Sequence, residues 1–281
     1  MQCLTPPGVG SQFVLTLKIG HVESASDDFD NGVITFQYVA PTVTQIQPAI
    51  VGTSANVPAT LTGNNFGPKN DTNYVSADFS LHRAFGCKHQ STDVEVFGCK
   101  DCADSCFLEH RRNIATSCTV TVADTEMQCT LPPGVGKNLE WAPIVGWQRG
   151  NTVGSNRISY VVPAIASLGT ARGLSSLQTR GDDVMTLAGT NFGPVHKHNR
   201  ILASYSNNDT GKLHTFGFDA ASCAVTTNDV EVQCRSAPGV GTNLHWEIDV
   251  GGQLSAVSEP HTNYSVPQID YLSPSNGPTG G

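Results

Sequence analysis

Charge is scarce in this sequence: only 14% of its 281 residues are Asp, Glu, Lys or Arg, against roughly 25% in ordinary soluble domains. Serine, threonine, asparagine, glycine and proline fill the space, the composition of a β protein with many turns. What charge there is sums to −8, which argues against a nucleic-acid partner, since phosphate recognition favours a basic face. No apolar run approaches the roughly 20 residues of a membrane span, so the fragment holds no membrane segment. A charged and apolar leader is also missing at the start, and a signal peptide is therefore absent from this fragment. Glycine-rich phosphate loops, nucleophile elbows and paired carboxylates are lacking too; the Gly-x-Gly fragments belong to a recurring Pro-Gly-Val-Gly turn with no helix after it. An enzyme is not expected.

Repetition is abundant. The stretch Cys118–Gly136, CTVTVADTEMQCTLPPGVG, returns 105 positions later as Cys223–Gly241, CAVTTNDVEVQCRSAPGVG. Its second half also opens the chain, where Met1–Gly10 matches Met127–Gly136. A unit recurring at that spacing is a domain-sized repeat. Within it Cys118, Val120 and Val122, like Val230, Val232 and Cys234, alternate with polar residues, the period of half-buried strands. Folding each copy at Ala123-Asp124 or Asn228-Asp229 as a two-residue hairpin turn sets its two cysteines opposite one another. Opposed residues of an antiparallel pair lie within disulfide reach, so the reading predicts Cys118–Cys129 and Cys223–Cys234 bonds; reduced core thiols are the alternative. Nine cysteines, most in paired spacing, point to an oxidising compartment. Cys3 aligns with Cys129, yet its partner would lie eleven residues upstream, before the first residue. Met1 aligns with a strand residue, Met127, and so is not expected to be a natural initiator. The chain reads as a piece of a longer polypeptide.

Taken in order, residues 1–40 are the tail of a first domain, with Phe13, Leu15 and Leu17 alternating on one strand and 33–39 forming the last. Asp27, Asp28, Asp30 and Asn31 cluster between them; a solvated hairpin loop accounts for them better than a Ca²⁺ site does. A seam, Tyr38-Val39-Ala40-Pro41, recurs as Tyr160-Val161-Val162-Pro163 and Tyr264-Ser265-Val266-Pro267. It divides off a second domain at 41–162, a third at 163–266 and the start of a fourth at 267–281. Joints this short favour a semi-rigid rod. Each full domain carries a strand running into an Asn-rich turn, Leu61-Thr62-Gly63-Asn64-Asn65-Phe66-Gly67-Pro68 in one and Leu187-Ala188-Gly189-Thr190-Asn191-Phe192-Gly193-Pro194 in the other, with the Phe placed to plug the domain end. Leu139 and Trp141 correspond to Leu244 and Trp246; two residues apart on a strand, they face one core, and a sugar-binding platform is the weaker reading of the tryptophans.

The Leu61–Pro68 element, the Cys-x-x-Pro-Pro-Gly-Val-Gly element and the Tyr-x-x-Pro seam together resemble IPT/TIG domains. These are immunoglobulin-like β-sandwiches found in tandem on cell-surface receptors such as plexins and in long extracellular proteins of protists. The resemblance spans nearly the whole chain. It implies an all-β fold of tandem sandwiches arranged end to end and an extracellular interaction or scaffold role, and it supplies no catalytic residues. Such modules also occur in Rel-like transcription factors, a branch that the acidic charge and paired cysteines disfavour.

The second domain exceeds the third mainly through an insertion at about 85–112 that holds Cys87, Cys99, Cys102 and Cys106 together with His89 and His110, with His82 just before it. Zn²⁺ ligation competes with two loop-pinning disulfides of unassigned connectivity, and an oxidising compartment favours the disulfides. A pinned loop is a candidate contact surface for a protein ligand. Sequons at Asn70, Asn208 and Asn263 predict N-linked glycans, with unoccupied turns as the alternative. Arg180-Gly181-Asp182 spells an adhesion tripeptide that chance also supplies, and His196 and His198 read as solvated loop residues. The expected function is a non-enzymatic structural segment of a long secreted or cell-surface glycoprotein, forming a rod or a filament of the kind seen in mastigonemes. It has no cofactor, and its partners are other copies or neighbouring domains of the same array. The rivals are a receptor ectodomain, which a downstream membrane helix would favour, and an accessory module of a carbohydrate-active enzyme, which a catalytic domain elsewhere would favour.

Overall fold

A computed structural model describes residues 4–14, 16, 18–23, 35–54, 56–69, 75–81, 113–152, 157–195, 200–207, 217–271, 273 and 277. Every regular element among them is a strand, and no helix among them is long and apolar enough to cross a membrane. The fold is all-β, built of sandwiches whose strands pair mostly antiparallel, with two parallel pairings in the first unit. The chain divides into two compact units, one of residues 1–162 with 196–200 and 251–253, the other of the remainder.

In the first unit the strands Thr42–Gln47, Val57–Asn64, Glu126–Leu131 and Asn113–Val122 lie side by side. Val75–Leu81, Leu139–Val145 and Arg157–Tyr160 continue from the last of these. Asn113–Val122 belongs to both layers: its first residues pair with Ala77–Phe79 and the rest with Glu126–Thr130. Between the layers sit Val43, Leu61, Phe66, Met127, Leu131, Leu139, Trp141 and Tyr160. Alternation puts them there, as in Glu126–Leu131, where Met127, Cys129 and Leu131 point inward because successive strand residues face opposite sides.

The second unit repeats the scheme. Ala164–Thr170, Val184–Thr190, Glu231–Arg235 and Ala221–Thr227 make one sheet, and Gly217–Asp219, Ile201–Asn207 and Leu244–Val250 the other. Gly217–Asp219 and Ala221–Thr227 are again one run crossing between layers, interrupted at Ala220, whose N–H donates to Ala203. Leu244, Trp246, Ile248 and Val250 alternate inward, and Trp246 stacks on Tyr205 with ring centroids 4.2 Å apart.

The first forty residues differ from expectation. Phe13 pairs with Phe36 in a two-residue ladder, Phe13 and Val14 are exposed, and among the described residues the last strand covers Thr35–Phe36. Beyond the expected Phe13–Leu17 strand, Lys18–Ile19 and Val22–Glu23 form a short hairpin, with Gly20 at φ 60° turning the chain between them. Residues 15 and 17 and the acidic cluster Asp27, Asp28, Asp30 and Asn31 lie outside the described residues.

Candidate interaction site

Two repeated devices hold each sandwich, and both grow from the Cys118–Gly136 and Cys223–Gly241 stretches. The first is the cysteine hairpin. Cys118 is bonded to Cys129 and Cys223 to Cys234, with Cα separations of 4.0 and 4.1 Å. The hairpin is not the plain two-residue turn that the spacing suggested. Three residues leave the ladder at 123–125 and at 228–230, and Thr125 and Val230 N–H donate to Val122 and Thr227. Only the second of the three takes positive φ, Asp124 at 66° and Asp229 at 69°. The extra residue is offset by bulges further along, where the register shifts between Gln128 and Thr130 and between Ala221 and Ala224. There Ser117 and Ser222 adopt φ of 51° and 52°, and a bulge of this kind re-aims the following side chain, here the cysteine. The hairpin loop then docks on the Asn-Phe-Gly turn. Gly67 accepts from Asp124 N–H and Gly193 from Asp229 N–H, each at 2.7 Å, while Phe66 and Phe192 N–H donate to the Asp124 and Asp229 carbonyls. Phe66 and Phe192 are fully buried against Gly63 and Gly189, where a Cβ would collide with the Thr42 or Ala164 carbonyl and with the phenyl ring.

The second device is a glycine turn under a tyrosine. Tyr38, Tyr160 and Tyr264 N–H donate to the carbonyls of Gly10, Gly136 and Gly241, at 3.0, 2.8 and 2.9 Å. Their hydroxyls donate to the carbonyls of Pro6, Pro132 and Ala237, at 2.8, 2.8 and 2.7 Å. Gly10, Gly136 and Gly241 hold φ of 106°, 117° and 121°, a region closed to other residues. Gly8, Gly134 and Gly239 lie under the phenols so closely that a Cβ would strike the hydroxyl. In the third copy the ring of bonds is larger. Ala237 N–H donates to the Tyr205 hydroxyl at 2.8 Å, the two hydroxyls are 2.6 Å apart, and Tyr264 donates to the Ala237 carbonyl. Burial pushes the phenols of Tyr160, Tyr205 and Tyr264 above their ordinary value.

The residues singled out in the sequence fall as follows. Trp141 and Trp246 are fully buried, and Trp246 Nε1 donates to Thr262 at 3.0 Å, so both tryptophans serve the core. Arg180-Gly181-Asp182 is tied to its own unit: Arg180 Nε meets Gln178 Oε1 at 2.7 Å and Asp182 Oδ1 meets Arg235 at 3.1 Å. Asn263 is half-buried, and its Oδ1 accepts from Asn243 N–H at 2.7 Å. Asn70, Asn208, Cys87, Cys99, Cys102, Cys106, Cys3, His82, His89, His110, His196 and His198 lie outside the described residues. No group of three His, Cys, Asp or Glu that could hold a metal occurs among the described residues.

Sequence reasoning passed over the seam tyrosine as a clamp and passed over two glutamines. Gln148 follows Gly146-Trp147 and Gln253 follows Gly251-Gly252, each just past a strand end, a recurrence visible at the same 105-residue offset. Gln148 Nε2 donates to the Tyr38 carbonyl at 3.1 Å. Beside the third glycine turn lies an open groove of about 440 Å³ lined by Thr179, Val240, Thr242, Tyr264, Val266 and Pro267, among others.

No protein-family model matches the chain, and no curated protein matches it. Solved structures with partial likeness include the adhesin InvE of Yersinia pseudotuberculosis, 7% identical over 80% of this chain and 58% of that one, with a TM-score of 0.40. The Escherichia coli adhesin FdeC is 12% identical over 89% of this chain and 72% of its own, with a TM-score of 0.31. The extracellular region of plexin A4 is 14% identical, over 76% of this chain and 15% of its own, with a TM-score of 0.25. The chain thus spans less than two thirds of InvE and of plexin A4.

Proposed function

We propose that the chain is a non-enzymatic structural segment of a longer secreted or cell-surface protein. Like β-sandwiches follow one another there as a rod or filament, supporting assembly or adhesion. The observation that carries this reading is the recurrence of the tyrosine-clamped glycine turn three times, and of the cysteine hairpin twice, at matching positions. The repeated polar and strained groups, which mark functional sites when they occur once, are engaged in holding the domain ends. Repeat arrays suit a spacer because each module mainly contacts its neighbours. The two disulfides favour an oxidising, extracellular setting. N-glycans at Asn70, Asn208 and Asn263 belong to the same reading; at Asn263 the acceptor oxygen is engaged with Asn243, and the amide nitrogen is the atom a glycan takes. The partners are further copies or neighbouring modules, and the 85–112 insertion is a contact surface for a protein ligand.

Small-angle X-ray scattering of the full chain tests the proposal. A compact 281-residue globule has a radius of gyration of about 19 Å. A rod of successive modules gives a clearly larger value with an elongated distance distribution, and a value near the globular one refutes it.

A further inference from the structure

The three glycine turns are built alike but are not covered alike. At the first, Gly10 is buried and Val9 half-buried, because the Gly146-Trp147-Gln148 turn lies on them. A Cβ on Gly146 would stand 2.8 Å from Val9 Cγ2 and 2.9 Å from Gly10 N, and Gln148 holds the Tyr38 carbonyl. At the second, also inside the first unit, Gly136 is buried and Val135 half-buried. Gln253 Oε1 accepts from Gly136 N–H at 3.2 Å and its Nε2 donates to the Tyr160 carbonyl at 2.9 Å. A Cβ on Gly251 would stand 2.9 Å from Val135 Cγ2. One glutamine side chain, with one donor and one acceptor, thus satisfies the two backbone atoms that the clamp leaves over, and a glycine lets the hairpin tip approach the valine.

At the third turn the same surface is bare. Val240 is 68% and Val266 80% exposed, Gly241 is exposed, and the groove of about 440 Å³ opens beside them. Gly241 N–H and the Tyr264 carbonyl, the counterparts of the atoms that Gln253 meets, make no hydrogen bond among the described residues. The Gly241 carbonyl is already taken by Tyr264 N–H, so what stays open is one donor, one acceptor and an apolar patch. Water serves the two polar atoms but not the valines.

We propose that this groove is a socket for the Gly-x-Gln hairpin of a further module of the same kind. That module would follow Pro267 as the module bearing Gly146-Trp147-Gln148 follows Pro41. The inference rests on the array reading given above and names the partner surface that propagates it. Specificity comes from the glutamine, whose amide matches one N–H and one C=O, and from the glycine two residues before it, where any side chain would meet the valine.

The test is a chain in which residues 163–266 are written a second time directly after Val266, so that the added copy presents its own Gly-Gly-Gln hairpin. Hydrogen exchange of the Gly241 amide is measured in the parent and extended chains. Slowing by at least roughly tenfold in the extended chain, abolished when the added copy's counterpart of Gln253 is changed to alanine, is the expected result. Unchanged exchange, with the near-ultraviolet circular dichroism showing the added copy folded, overturns the proposal. So does protection in the parent chain that rises with concentration, which would give the socket to a second molecule instead. Should the extended chain not fold, the parent decides. Gly136 is expected to exchange at least roughly tenfold more slowly than Gly241 and to lose that protection in Gln253→Ala, and equal rates refute the pairing. Scattering keeps the two readings apart: an elongated chain with an unprotected Gly241 in the extended form removes the socket and leaves the rod.

Discussion

Removing the hydroxyl of Tyr264 tests the tyrosine clamp where it is most elaborate. Tyr264 is 2% exposed, and its oxygen closes a ring in which Ala237 N–H donates to Tyr205, Tyr205 to Tyr264 and Tyr264 back to the Ala237 carbonyl, over 2.8, 2.6 and 2.7 Å. Tyr264→Phe leaves the rings packed but deprives the Ala237 carbonyl of its donor and Tyr205 of its acceptor. A buried polar group left without a partner costs about 1–3 kcal/mol. Tyr205 can recover part of this, since its oxygen is 3.4 Å from the same carbonyl, so the net loss is placed at about 1–2 kcal/mol. For a module of roughly 100 residues that lowers the melting midpoint by at least about 4 °C. The band to follow is the near-ultraviolet circular dichroism of the stacked Tyr205–Trp246 pair, which reports on the second unit of the full chain. Tyr205→Phe is expected to cost a similar amount and the double substitution less than the sum, because it removes both members of the hydroxyl pair at once. A shift below about 2 °C in Tyr264→Phe, or strict additivity in the double variant, would show that the ring is a geometric coincidence.

Replacing Cys223 and Cys234 together by alanine is expected to destabilise the second unit by about 3 kcal/mol, from the loop entropy of a crosslink spanning 11 residues; a denaturant midpoint unchanged by the replacement refutes it. Gly189→Ala drives a Cβ into the Ala164 carbonyl and the Phe192 ring and is expected to cost at least about 3 kcal/mol, since both neighbours are fixed by the sheet. Gly52→Ala, which meets nothing within 4 Å, is expected to stay within about 0.5 kcal/mol, and thermal melts that fail to separate the two refute the packing. Burial raises the phenols of Tyr160, Tyr205 and Tyr264 above the usual 10.0. Their stabilising contribution is therefore complete below pH 10 and lost as pH rises beyond it toward the folded values. Absorbance of tyrosinate is expected to show three of the six tyrosines ionising only as the fold melts, and all six titrating together near pH 10 in the folded chain refutes it.

Much of the framework is legible as simple periodicity. Leu139 and Trp141, or Leu244, Trp246, Ile248 and Val250, stand two apart because one face of their strand meets a core, and a reader who counts in twos puts them inside. Asn65 and Asn191, both at φ 63°, announce a left-handed turn by residue type. The bulges do not announce themselves. Ser117 and Ser222 take positive φ although serine has no preference for it, and the cause lies in the partner strand and the three-residue loop, both tertiary. Nor does alternation reveal that Asn113–Val122 serves both sheets: Ala115 is buried in one half and Val120 in the other, and the change of phase at Ser117 belongs to the bulge.

The domain-end site was half visible for a different reason. A repeated Tyr-x-x-Pro marks a joint, but hydrophobic pattern says only that a tyrosine is near a core; it is the position of Gly8, Gly134 and Gly239 under the rings that turns three tyrosines into clamps. Glutamine carries still less signal, because Gln148 and Gln253 stand among polar turn residues where a glutamine usually means solvent. What separates them is that each follows a glycine by two places at the same end of the same strand, so that recurrence, and not residue type, carries the information. The same logic explains why the third turn is informative. A bare valine on one surface is ordinary, whereas Val240 is bare at the position where Val9 and Val135 are half-buried, on a turn that shares with theirs the two tyrosine bonds, to the glycine carbonyl and to the carbonyl of Ala237, Pro132 or Pro6. Within a repeat, a difference in burial at equivalent positions is the ground for the proposed socket, and the backbone atoms beside it state the chemistry that its occupant would bring.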